Sequence, residues 1–140
     1  MSTLIINGRL LLDNNIVDGK DLLIEDNKIA AIGKGLSGDN VIDADGNYVS
    51  PGFIDIHIHG SAGFDTMDGT FDAINAISKS IAKRGTTSFL PTTMTEDKNK
   101  IKNAIKNVYE NKNRVEGAEI LGIHMEGPFI NPKQKGAQDE

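Results

Sequence analysis

The chain has 140 residues, 38% apolar and 25% charged, with 15 Lys and Arg against 20 Asp and Glu for a formal charge of −5. That length supports about one ordinary core rather than two complete domains, and the acidic balance argues against nucleic-acid and anionic-membrane partners. There is no cysteine, hence no disulfide, thiolate metal site or Cys nucleophile, and no basic leader or apolar run near ~18 residues, so the expectation is a soluble cytoplasmic protein with no signal peptide or membrane span. Residues 3–7 form an apolar, β-branched run that closes at Asn7-Gly8, and residues 10–12 follow and end at Asp13-Asn14-Asn15. Residues 21–25 and 28–32 read as strands joined by a tight Asp26-Asn27 turn. Gly33, Gly35 and Gly38 punctuate a loop, Val41-Ile42-Asp43 is a brief strand, and Asp45-Gly46 is a hairpin-type turn. Residues 1–50 therefore read as a small all-β unit with no reactive constellation.

The character changes at Pro51-Gly52. Residues 53–59 alternate as a half-buried strand should, and residues 60–69 form a loop rich in glycine and acidic side chains. Phe71, Ile74, Ile77 and Ile81 fall at helical spacing, with Gly85 just past the end at the C′ position. Residues 86–91 are a short strand running into Thr92-Thr93-Met94-Thr95. A second helix is expected from Thr95 as its N-cap, with Glu96 and Asp97 in the first turn, and Ile101, Ala104, Ile105, Val108 and Tyr109 as its apolar face. Lys112 and Arg114 close it, and a third strand over residues 119–124 runs into Met125-Glu126-Gly127-Pro128. The order β-α-β-α-β predicts parallel strands, and in such units functional groups gather at the carboxyl ends of the strands.

All three strand ends hold unusual residues. His57 and His59, two apart on a strand, project to one side, and two neutral imidazoles a few ångströms apart can grip a divalent cation. The alternative is a pair of buried histidines satisfied by backbone groups. Asp55 shares their side and is either an acceptor for a ring N–H or a ligand itself. Glu126, held between a buried-looking strand and the Gly127-Pro128 bend, is a candidate ligand or, taken alone, a surface carboxylate before a turn. His124 is expected to support a ligand rather than to be one. Thr92, Thr93 and Thr95 suit capping or loop backbone, and Lys98, Lys100, Lys102 and Lys106 suit a solvated helix face.

Residues 49–60, Val-Ser-Pro-Gly-Phe-Ile-Asp-Ile-His-Ile-His-Gly, resemble the opening barrel strand of the amidohydrolase superfamily. His124-Met125-Glu126-Gly127-Pro128-Phe129-Ile130-Asn131-Pro132, with Lys135-Gly136-Ala137, residues 63–68 and residues 85–92, resembles within it the N-acetylglucosamine-6-phosphate deacetylase family. The resemblance implies an α/β fold: a partial TIM (β/α)8 barrel over residues 51–140, comprising its first three strand–helix steps, preceded over residues 1–50 by part of a small β-sandwich. It implies a divalent-metal-dependent hydrolase (Zn or Fe, one or two ions) that removes acetate from the amide nitrogen of N-acetylglucosamine 6-phosphate. Glu126 matches the principal metal ligand, His57 and His59 match ligands of members that hold a second ion, and Ala137 matches a substrate-contacting position.

A closed (β/α)8 barrel takes at least ~200 residues, so these 140 read as the amino-terminal part of such an enzyme. The family's two further histidine ligands, its general-base aspartate and most phosphate-binding residues are expected beyond residue 140. The 140 residues alone are expected to be inactive, and the complete protein to be a homodimer acting on a sugar phosphate. The alternatives are an amidohydrolase for a cyclic amide or another N-acyl amino sugar, and a non-catalytic fragment whose open sheet edge associates with another chain.

Overall fold

The computed structural model describes residues 1–13, 15–136 and 138. The chain divides into two units, Met1–Pro51 and Gly52–Glu140. In the first, β-branched runs cut by Asn, Asp and Gly leave only short strands: β1 (Ser2–Ile6), β2 (Arg9–Leu12), β3 (Asn15–Val17), β4 (Asp21–Glu25), β5 (Lys28–Gly33), β6 (Asn40–Asp43) and β7 (Tyr48–Val49). They form two sheets, ordered β5-β4-β1-β6 and β3-β2-β7, with Leu4, Leu10 and Leu22 buried among them. Asp26 and Asn27, at φ +49° and +60°, make the expected two-residue turn of the antiparallel β4–β5 hairpin.

Two expectations for this unit are corrected. Asn15 opens a strand that pairs antiparallel with β2 where a turn was expected, and β7 pairs parallel with β2. The Asp45-Gly46 turn has the expected positive φ at both positions (+48° and +75°), yet it joins strands of different sheets rather than a hairpin. The Gly46 N–H donates to the Asn7 carbonyl at 2.8 Å, which directs the chain away from β6.

The second unit carries β8 (Phe53–Ile58), β9 (Gly60–Ser61), β10 (Phe64–Asp65), α1 (Phe71–Ala82), β11 (Thr86–Pro91), α2 (Lys98–Asn111) and β12 (Glu119–Ile120). The sheet order is β12-β11-β8, and both pairings are parallel, as the β-α-β-α-β order predicts. Ile74, Ile77 and Ile81 of α1 pack with Val108 of α2, Phe89 of β11 and Ile120 of β12 in one buried cluster. Phe89 lies at its centre, with no exposed surface. Thr70 caps α1 by accepting the Ala73 N–H at 3.3 Å.

Here too the structure amends the reading. Residues 60–65 are not an open loop: Ala62 and Gly63, at φ +56° and +81°, turn a hairpin between β9 and β10. Gly85 has the left-handed conformation (φ +88°) but sits two residues beyond the Lys83 C-cap, one later than expected. The α2 helix begins at Lys98, and its N-cap is Asp97, whose Oδ1 accepts the Asn99 N–H at 2.8 Å. Thr95 is not the cap: among the described residues its buried Oγ1 has no hydrogen-bond partner, its N–H goes to Gln138 Oε1 at 2.8 Å, and Glu96 pairs with Lys100 at 3.0 Å. The third strand is regular only over Glu119–Ile120. Beyond it the Leu121 and His124 N–H groups bond Phe89 and Pro91, so three steps of one chain span two of the other and the ladder bulges.

Candidate metal centre

The carboxyl ends of β8 and β11 and the segment after β12 meet at one place. His57 is the penultimate residue of β8, and His59 lies just past its end. Thr92, fully buried, stitches the first two ends together: its Oγ1 accepts the Ile58 N–H at 3.0 Å and donates to the Leu90 carbonyl at 3.1 Å, while its own N–H reaches Ile58 O at 2.8 Å. Thr93 does the same for the third, accepting the Glu126 N–H at 3.2 Å, with its N–H on the His124 carbonyl at 3.0 Å. Thr92 and Thr93 satisfy backbone as expected, and that backbone is the site's; the Thr95 hydroxyl, buried with no hydrogen-bond partner among the described residues, does not.

The result is a tight triangle. Glu126 Oε2 lies 2.9 Å from His57 Nε2 and 3.0 Å from His59 Nε2, and the two nitrogens are 3.3 Å apart. Among the described residues these three form a group able to hold a metal ion. His59 Nδ1 lies 3.3 Å from the Thr92 carbonyl. A carbonyl only accepts, so in neutral His59 the hydrogen is on Nδ1 and the Nε2 lone pair faces the Glu126 carboxylate. Two acceptors at 3.0 Å repel unless a cation or a proton lies between them.

His124 supports the arrangement without joining it. Its Nδ1–H donates to the Ile56 carbonyl at 2.9 Å, and its ring centroid is 4.5 Å from that of His57. Asp55 takes neither role considered for it: Oδ1 accepts the backbone N–H of His57 at 3.1 Å, close along its own strand. Burial acts against the charged form of Glu126, but hydrogen bonds from Gln138 and His57 and the charges of His59 and His57 outweigh it and hold the carboxyl below the ordinary glutamate value.

A family model for the Amidohydrolase family matches residues 48–140. The chain belongs to the amidohydrolase family. An N-acetylglucosamine-6-phosphate deacetylase from Bacillus subtilis is 40% identical over 146 residues, covering 98% of this chain and 37% of the relative. An N-acetylgalactosamine-6-phosphate deacetylase from Escherichia coli is 37% identical over 130 residues, covering 92% of this chain and 34% of the relative. The crystal structure of N-acetylglucosamine-6-phosphate deacetylase from Pasteurella multocida matches with a TM-score of 0.91 at 28% identity, covering 100% of this chain and 38% of that one. The chain thus spans about a third of the length of the relatives it matches.

Amidohydrolases are typically metal-dependent, and the donor set of this member fits a divalent ion. Two imidazole nitrogens and a carboxylate oxygen suit Zn, Fe, Co or Ni, and donors bound to one ion at ~2.0–2.2 Å are themselves roughly 3 Å apart, as these are. One residue of the site escaped the sequence reading. The Gln138 side chain is buried, and its Nε2 donates to Glu126 Oε1 at 2.7 Å. The substrate-contacting position expected at Ala137 lies outside the described residues.

Two outcomes follow locally. Gly127, at φ +75°, lies where a Cβ would collide with Thr95 Oγ1. Gly127→Ala should therefore cost at least ~1–2 kcal/mol from the left-handed backbone alone, read as a lower urea midpoint, and should displace Glu126. An unchanged midpoint would contradict the packing described. In metal-free protein, a carboxyl that is harder to protonate when folded stabilises the fold at neutral pH. That contribution is lost as pH falls below about 4.3, the unfolded value, through the lower folded value. Urea midpoints of wild type and Glu126→Gln, measured in chelator, should converge on acidification; a gap that widened would show the sign to be wrong.

Proposed function

We propose that the chain is the amino-terminal portion of a metal-dependent amide hydrolase that removes acetate from N-acetylglucosamine 6-phosphate, giving glucosamine 6-phosphate. The observation that carries this reading is the convergence of His57, His59 and Glu126 within 2.9–3.3 Å at the carboxyl ends of parallel strands. Residues 51–140 then supply the first βα units of a (β/α)8 barrel, and residues 1–50 part of a small β-sandwich. Parallel β8-β11-β12, crossed by α1 and α2 and functional at one end, supports the first assignment. The names of the B. subtilis and P. multocida relatives support the substrate.

In this reading Glu126, His57 and His59 hold one or two ions of Zn or Fe. A divalent ion held there would lower the barrier to amide hydrolysis as a Lewis acid that activates water and polarises the acyl oxygen. The protein's part is to arrange the donors. His59 keeps its lone pair on the site through the Thr92 carbonyl, His57 is braced by the His124 ring, and Glu126 is fixed by Thr93 and Gln138. Following the family resemblance, the general base is assigned to an aspartate beyond residue 140, and residues 1–140 alone turn over no substrate. Ala137 would contact the substrate. The remaining assignments are cytoplasmic location and a homodimer; no helix among the described residues is long and apolar enough to cross a membrane.

Acetate release by the complete natural chain tests the proposal. N-acetylglucosamine 6-phosphate should be preferred over the unphosphorylated sugar by roughly 10²-fold or more, as a site built for a charged group rejects its absence. The galactosamine epimer belongs in the same assay, because the E. coli relative bears that sugar in its name. Turnover of cyclic amides with none of the amino sugars would overturn the assignment.

A further inference from the structure

A carboxylate can bind an ion through one oxygen or both, and nothing in Glu126 itself chooses. The surrounding structure does. Gln138, 7% exposed, receives the Thr95 N–H on Oε1 at 2.8 Å, so its Nε2 end must face Glu126, where it donates to Oε1 at 2.7 Å. The other oxygen, Oε2, is left to both imidazoles. The Gln138 main chain is tied to its own segment, its N–H on the Lys135 carbonyl at 3.1 Å and its carbonyl accepting Lys135 Nζ at 3.2 Å. A single amide thus joins three pieces of chain: the loop between β11 and α2 at Thr95, the carboxylate of Glu126, and Gln138 itself, beyond the Pro132–Gln134 turn.

Resting on the metal-site reading above, we propose that Gln138 is a positioning residue that confines Glu126 to single-oxygen ligation through Oε2 and couples the docking of its own side-chain amide to metal occupancy. The coupling is reciprocal: whatever holds the carboxylate in this orientation favours the docked amide, and the docked amide favours the ion. A role confined to packing would leave the coordination mode untouched.

The test uses Co(II) as the probe, in the complete natural chain. Gln138→Met keeps the length of the side chain and loses the hydrogen bonds to Thr95 and Glu126. Gln138→Glu keeps an acceptor for the Thr95 N–H and loses the donor to Glu126. Both variants should raise the Co(II) Kd by about 10–100-fold, the usual effect of removing a partner that orients a ligand. Both should also change the Co(II) visible spectrum toward a higher coordination number as the carboxylate closes on the ion with both oxygens. In wild type, Zn should increase the hydrogen-exchange protection of the Thr95 amide at least about tenfold, a readout that needs no variant. Wild-type binding with a Gln138→Met or Gln138→Glu spectrum and Kd equal to it, or Thr95 protection indifferent to Zn, overturns the inference alone. A wild type that binds no Co(II), or binds it equally well as Glu126→Gln, overturns the metal-site reading and this inference with it.

Discussion

Glu126→Gln is expected to abolish divalent-metal binding while leaving the fold in place. The substitution keeps the shape of the side chain but removes the charge that faces His57 and His59 from 2.9 and 3.0 Å. Loss of a direct ligand should exceed the 10–100-fold cost of losing a supporting partner. The consequence is measurable without any assay of turnover. With metal at 100 times the wild-type Kd, binding should stabilise the wild type by about 2.7 kcal/mol, whereas a variant whose Kd has risen 100-fold or more should gain no more than about 0.4 kcal/mol. On the proposed function, kcat of the complete natural chain should fall by on the order of 10³-fold or more, since an ion held there would supply several kcal/mol of transition-state stabilisation. A variant that retained the metal-dependent gain in stability would mean that the carboxylate is a bystander.

Phe89→Ala is expected to have the largest effect on stability, about 3–5 kcal/mol. Phe89 is wholly buried in the middle of β11, opposite Asp55 of β8 on one side and Ile120 of β12 on the other, and packs under Ile74, Ile77 and Ile81 of α1. Small domains have only about 5–15 kcal/mol in total, so a loss of this size leaves a marginal fold. It also slackens the strand whose end carries Thr92 and Thr93, so metal affinity should fall although Phe89 touches no ligand. Phe129, which is completely exposed, provides the control: Phe129→Ala should change the urea midpoint by less than ~0.5 kcal/mol in equivalent free energy. A cost below about 1 kcal/mol for Phe89→Ala would place the core of this unit elsewhere.

What was legible in the sequence and what was not divides along physical lines. His57 and His59 share a face because the period of a strand is two, and that holds whatever the sheet around them does. The α1 face was readable from Ile74, Ile77 and Ile81 for the same kind of reason, a period repeated several times. Elements with no room for a period were missed: β3, β7, β9 and β10 are two or three residues long and exist only through partners remote in sequence or a tight turn. The turn at Ala62-Gly63 lacks the Asn or Asp that normally signals positive φ. Gln138 was illegible for another reason: its partners, Glu126 and Thr95, lie 12 and 43 residues away, and no spacing rule links an amide to a carboxylate and a backbone N–H across a fold. The α2 start was misplaced because Thr95 and Asp97 are both ordinary capping residues two positions apart, and the helix takes the second, whose Oδ1 accepts the Asn99 N–H.

Anomalous diffraction from crystals grown with Zn, recorded on both sides of the metal absorption edge, would locate the ion directly. A peak is expected about 2.0–2.2 Å from His57 Nε2, His59 Nε2 and Glu126 Oε2. A fully occupied ion elsewhere, with the three side chains closed on one another by hydrogen bonds alone, would contradict it.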